Sequence, residues 1–85
     1  MEIAFDEIAL QDLEFWKKSG NLAVQKKIQS LIIAIQQSPY TGIGKPEALK
    51  HALSGKWSRR ISNEHRIIYR VAEDKLFIYS LRGHY

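Results

Sequence analysis

The apolar stripe of Val24, Ile28, Leu31, Ile32 and Ile35, with Gln25, Lys26, Lys27, Gln29 and Gln36 opposite, most constrains how this chain folds. Spacings of three and four put the five apolar residues on one side of a helix, and that side needs an apolar surface to lie on. Asn21 is placed to cap the helix, and Ser38-Pro39 ends it, because the residue before a proline disfavours helical backbone. A shorter helix precedes it. Asp6 stands at its N-cap position, Ala9, Leu10, Leu13 and Trp16 recur at helical spacing, and Lys17-Lys18-Ser19-Gly20 supplies cations and a glycine suited to a helix end. Residues 1–5 alternate loosely and read as a short strand.

Beyond Pro39 the pattern changes. Residues 39–56 contain Pro39, Gly42, Gly44, Pro46 and Gly55, which predicts a loop with at most one turn of helix between Glu47 and Leu53. Three β-like runs follow, Trp57 to Ser62, Arg66 to Ala72 and Leu76 to Arg82, with Asn63-Glu64 and Glu73-Asp74 as hairpin connections. Helices first and strands after them predict an α+β fold, with the N-terminal helices packed on one face of a small antiparallel sheet and the other face open. A chain of 85 residues has room for one hydrophobic core, so residues 1–85 read as a single domain.

Charge is divided unevenly. Residues 1–44 hold four lysines against five carboxylates, whereas residues 45–85 hold nine basic side chains against Glu47, Glu64, Glu73 and Asp74. A one-sided basic surface suits a polyanionic partner, although the same charge also serves as a solvated face. With no cysteine there is neither a disulfide framework nor a thiolate metal site, which fits a reducing cytoplasm. The first residues lack the basic and apolar segments of a secretion signal, and no apolar run is long enough to span a bilayer. His51, His65 and His84 are scattered without ligand spacing, so no metal or other cofactor is expected. Gly42-Ile43-Gly44-Lys45 is too short for a phosphate-binding loop and follows a helix instead of a strand.

The basic half retains a set of acid–base and cationic groups: Glu47, Lys50, His51, Arg59, Arg60, Arg66, His84 and Tyr85. Cutting RNA without a metal needs a base for the ribose 2′-OH, a cation for the phosphate and an acid for the leaving 5′-oxygen. Carboxylate, guanidinium and imidazole supply those roles. Each residue also has a plainer explanation. An acid soon after Pro46 suits the first turn of a helix, the last two residues of a chain commonly fray, and Arg59-Arg60 suits the surface of a strand. Neighbours on a strand point to opposite faces, so only one of that arginine pair shares the open face with Arg66, and hairpin register decides which.

These residues fall into segments that resemble the YoeB/Txe toxins of the RelE-like superfamily. The segments are Gly44-Lys45-Pro46-Glu47-Ala48-Leu49-Lys50-His51, Leu53-Ser54-Gly55, Trp57-Ser58-Arg59-Arg60-Ile61, Glu64-His65-Arg66-Ile67-Ile68-Tyr69 and a closing His84-Tyr85. Residues 1–43 agree mainly in pattern. The resemblance implies a RelE-like fold and a ribosome-dependent mRNA endoribonuclease that cuts the codon in the A site of the 70S ribosome and leaves a 2′,3′-cyclic phosphate. It implies Glu47 as general base, His84 as general acid, Arg66 as stabiliser of the scissile phosphate and Tyr85 as a supporting residue. Lys50, His51 and one of Arg59 and Arg60, with Arg60 favoured, are implied to hold the RNA. A YefM-like antitoxin and a homodimer are the implied protein partners. Two other readings compete with this one. A RelE-like module without catalysis would bind the ribosome or act as a co-repressor, and an RNA-binding domain would stack bases on aromatics. Against the last, Trp16, Phe77 and Tyr79 read as core.

Overall fold

The computed structural model describes residues 1–83 of the chain; His84 and Tyr85 lie outside the described residues. Strand β1 (Glu2–Phe5) leads into helix α1 (Glu7–Ser19) and helix α2 (Leu22–Gln37), and four strands follow: β2 (Glu47–Ala48), β3 (Trp57–Arg60), β4 (Arg66–Ala72) and β5 (Lys75–Ser80). They form one five-stranded sheet in the order β1-β5-β4-β3-β2. The meander β3-β4-β5 is antiparallel as its patterning predicts, and β2 extends it antiparallel to β3. β1 joins the opposite edge parallel to β5, which makes the sheet mixed. None of the described helices is long and apolar enough to cross a membrane.

Local chemistry explains the boundaries. The Asn21 side chain accepts from the Val24 N–H at 3.1 Å and caps α2, while Gly20 ends α1 in left-handed conformation. Asp6 occupies the N-cap position of α1 without a side-chain cap bond. Glu73 and Asp74 both take positive φ, as a two-residue hairpin turn between twisted strands requires. β3 stops at Arg60, short of Ser62, because the N–H groups of Ile61 and Ser62 both donate to the His65 carbonyl and close the turn to β4.

Both helices cover one face of the sheet. Ala9, Trp16, Ile28, Leu31 and Ile35 meet Ile61, Ile67, Tyr69, Leu76, Ile78 and Leu81 in the core, and the α2 stripe packs as its spacing predicts. The α1 stripe is rotated from its predicted position. Leu10 is exposed, and Asp12 is buried in its stead. Its carboxylate accepts the Leu81 N–H at 2.9 Å, so the buried charge satisfies a backbone donor of the segment after β5. Leu81 itself is fully buried, and its carbonyl accepts from the Trp16 indole at 2.9 Å.

The predicted turn of helix between Glu47 and Leu53 is replaced by two smaller elements. Glu47 and Ala48 pair with Ser58 and Trp57, and only His51–Leu53 forms a 3-10 turn. The free edge of β3 offers backbone partners that a lone helical turn lacks, and burial of Leu49 pins the segment. Glu47 is therefore a strand residue, and its position after Pro46 is not explained by the start of a helix.

Candidate functional site

Register assigns each site residue to a face. Residues opposite one another in a ladder share a face, so Glu47 with Ser58, Arg60 with Arg66, and Arg70 with Phe77 all lie on the side away from the helices. Trp57, Arg59, Ile67 and Tyr69 lie on the helix side. The choice between the adjacent arginines is settled by this register. Arg60 is exposed on the open face, and Arg59 is fully buried.

The expectation that Arg59 meets RNA is thus corrected. Its Nε donates to the Tyr69 hydroxyl at 3.2 Å, Nη1 donates to the Ile43 carbonyl at 3.1 Å, and Nη2 donates to the carbonyls of Thr41, at 2.9 Å, and Ser38. The Tyr69 hydroxyl donates onward to the Pro39 carbonyl at 2.6 Å. One guanidinium thereby satisfies three carbonyls of the connection that leaves α2, from its C-cap Ser38 to Ile43. Burial raises the pKa of the Tyr69 phenol, against the opposing pull of Arg59.

Gly44 brings this interior clamp to the open site. Its carbonyl accepts the Arg60 N–H at 2.6 Å, and its φ is +83°. A Cβ there would stand 2.8 Å from Leu31 Cδ2 and 3.2 Å from the Arg60 carbonyl oxygen. The segment carrying Glu47 runs this close to β3 only because residue 44 has no side chain.

On the open face Arg60 and Arg66 are direct cross-strand neighbours of like charge, which by itself is unfavourable. Among the described residues the ion pairs are Lys18 with Glu14 and Lys75 with Glu2, so neither of these two arginines has a carboxylate partner there. Arg66 donates to the Ser62 carbonyl at 3.1 Å, a neutral acceptor that holds its guanidinium in place. Glu47, Leu49, Lys50, His51 and Leu53 line a groove of about 310 Å³ beside β2. His51 takes positive φ at the start of the 3-10 turn, and Lys50 and His51 are both exposed.

Sequence patterning misplaced two aromatics and left two cations unremarked. Trp16 is core, but Phe77 and Tyr79 stand half-buried on the open face. Arg70 sits 5.2 Å from the Phe77 ring and donates to the Tyr79 hydroxyl at 3.1 Å, while Lys56 Nζ lies 4.1 Å over the Tyr79 ring. Phe77 and Tyr79 are two residues apart on β5, so strand alternation puts both on this side, and the register shift between Ile68 and Tyr69 makes Tyr79 the extra residue between the Tyr69–Ile78 and Ile68–Ser80 pairs. Periodicity puts the two aromatics on one face but does not say which face the helices cover. The two expected residues at the chain end, His84 and Tyr85, fall outside the described residues.

Two helices on one face of a five-stranded mixed sheet is the architecture this chain shares with RelE-like bacterial toxins. A solved YoeB/ParE toxin from Agrobacterium tumefaciens superposes with a TM-score of 0.95 at 38% identity, over all of both chains. The YoeB of Staphylococcus aureus, solved in complex with YefM and as a dimer, superposes at 0.91 in both cases, at 38% and 37% identity, over all of this chain and 98% of the other. Toxin YoeB of Synechocystis is 48% identical over 85 residues, 100% of this chain and 98% of the relative. The family model described as "YoeB-like toxin of bacterial type II toxin-antitoxin system" matches residues 5–85. The chain belongs to the YoeB-like toxins and is the toxin component of a type II toxin–antitoxin system.

Proposed function

We propose that the chain is an endoribonuclease that cuts mRNA in the ribosomal A site without a metal. The observation that carries this reading is the cross-strand couple Arg60–Arg66, without a carboxylate partner among the described residues, with Glu47 two strands from Arg66 on the same face. Strand and residue spacings put the Cα atoms of Glu47 and Arg66 roughly 12 Å apart. Two long side chains reaching inward from that separation leave a gap suited to one phosphodiester. Glu47 takes the proton of the ribose 2′-OH, the 2′-oxygen attacks phosphorus, and Arg66 stabilises charge on the phosphate oxygens. His84 protonates the 5′-oxygen as its bond to phosphorus breaks, giving a 2′,3′-cyclic phosphate and a free 5′-OH. Tyr85 supports this step. Arg60, Lys50 and His51 hold the RNA backbone on either side of the cut. The ribosome contributes by presenting the codon in one conformation, which lowers the entropic part of the barrier.

The S. aureus relative forms both a YefM complex and a dimer, and we assign the same partners to this chain: a YefM-like antitoxin and a second copy of itself. An acidic antitoxin segment would find the uncompensated arginines of the open face. The ribosomal target places the toxin in the cytoplasm.

Primer extension on mRNA in programmed ribosomes tests the enzyme directly. The wild-type chain should cut inside the A-site codon, folded Glu47→Gln and His84→Gln variants should not, and ribosome-free RNA should stay intact. Ribosome binding without cleavage would instead make the chain a non-catalytic ribosome-binding module.

A further inference from the structure

The segment that carries the proposed acid is held at two points before the chain reaches it. At the first, Leu81 gives its N–H to the Asp12 carboxylate and its carbonyl to the Trp16 indole, both at 2.9 Å, with its side chain fully buried. At the second, Gly83 gives its N–H to His65 Nδ1 at 2.8 Å and accepts the Arg66 N–H at 3.0 Å. The carbonyl that Arg66 holds belongs to the peptide joining Gly83 to His84. The imidazole is itself fixed: its ring meets the Trp16 ring edge-on at 4.9 Å, and the His65 carbonyl closes the β3–β4 turn. Nδ1 accepts a hydrogen bond only in the neutral imidazole with its proton on Nε2.

These contacts do more than bury Leu81. The residue before His84 is a glycine at φ +77° with nothing within 4 Å of an added Cβ, so local sterics leave its backbone free to turn. What restricts it is the pair of bonds from His65 and Arg66. Arg66 therefore holds the Gly83 carbonyl with its backbone while its side chain stands on the open face, which ties the last described residue to the proposed phosphate-binding cation.

We infer that His65 is a positioning residue for the proposed reaction, acting through the Gly83 amide to fix the last described residue ahead of the proposed acid. It touches neither substrate nor reacting atoms. The inference rests on the ribonuclease reading and adds a residue to which that reading gives no task.

The experiment pairs amide hydrogen exchange at Gly83 with single-turnover cleavage on programmed ribosomes, for the wild type, His65→Ala and His65→Asn. The Asn amide oxygen sits where Nδ1 does and retains the acceptor. His65→Ala should accelerate Gly83 exchange roughly tenfold, as loss of one hydrogen bond allows. Its cleavage rate should fall roughly ten- to a hundredfold, as a misplaced reacting group implies, with half-saturation by ribosomes unchanged. His65→Asn should restore both. Unchanged Gly83 exchange in a folded His65→Ala variant would overturn the clamp, and faster exchange with undiminished cleavage would overturn the positioning role. A failure of Asn to rescue where Ala slows cleavage would likewise count against the Nδ1 bond. If the wild type itself does not cut, the ribonuclease reading fails and the positioning role fails with it, while the exchange data still decide the clamp.

Discussion

Arg59 and Arg60 are adjacent in sequence and opposite in consequence. Arg59 spends its donors on three backbone carbonyls and a phenol in the interior, whereas Arg60 faces outward beside another arginine. Arg59→Met should therefore lower stability by about 3–5 kcal/mol in urea unfolding, because several buried acceptors lose their donor at once. Arg60→Ala should change stability by no more than about 0.5 kcal/mol, since it relieves a like-charge pair, and should instead weaken RNA cleavage on ribosomes. Tyr69 offers a test by pH. Its folded-state pKa is raised by burial, so above the ordinary phenol value of 10.0 the unfolded chain holds fewer protons than the folded one. The contribution is fully present below that value and is lost as pH rises through the folded pKa. Urea midpoints measured from pH 8 upward should fall at the alkaline end, and Tyr69→Phe should flatten that fall. The same variant should cost about 1–3 kcal/mol near neutrality, because Arg59 Nε loses its acceptor.

Among the elements, the connection from α2 to β3 departs most from its prediction. Proline and glycine correctly marked it as irregular, but local propensity says nothing of the β3 edge to which Glu47 and Ala48 pair. Gly44 sets how closely that connection approaches. Gly44→Ala should cost about 1–3 kcal/mol by overpacking against Leu31 and Arg59, with left-handed strain added. Gly20→Ala has the strain without the clash and should cost less, a ranking that thermal unfolding of the two variants would check. Helix α1 makes a second point about propensity. Its apolar spacing was read correctly as helical, yet Leu10 faces water and Asp12 faces the core, because the segment after β5 needs an acceptor for the Leu81 N–H. Leu10→Ala should move stability by less than about 0.5 kcal/mol, and Leu31→Ala, fully buried in the core, by about 2–5 kcal/mol.

For the whole molecule, the helical layer leaves a face that gathers Lys56, Arg60, Arg66 and Arg70 around half-buried aromatics. Ribosome or RNA affinity should therefore fall with rising salt, and each open-face arginine replaced by alanine should reduce the slope by about one; titration across a range of ionic strengths would measure it. The helices, the three-stranded meander, the one-layer-on-one-face arrangement and the chemical types of the site residues were legible in the sequence. Each follows from periodicity, caps, turn residues or motif, which are properties of neighbouring positions. The parallel partnership of β1 with β5, the burial of Arg59, the aspartate in the core and the outward face of Phe77 and Tyr79 were not legible. They depend on pairings between segments distant in sequence, and a shift of one residue in a strand register reverses which side chains face outward. By itself the sequence determined the two helices and the three meander strands; the tertiary structure decided the form of the connection between them and which residues meet, because long-range pairing selects one register among several that local preference allows.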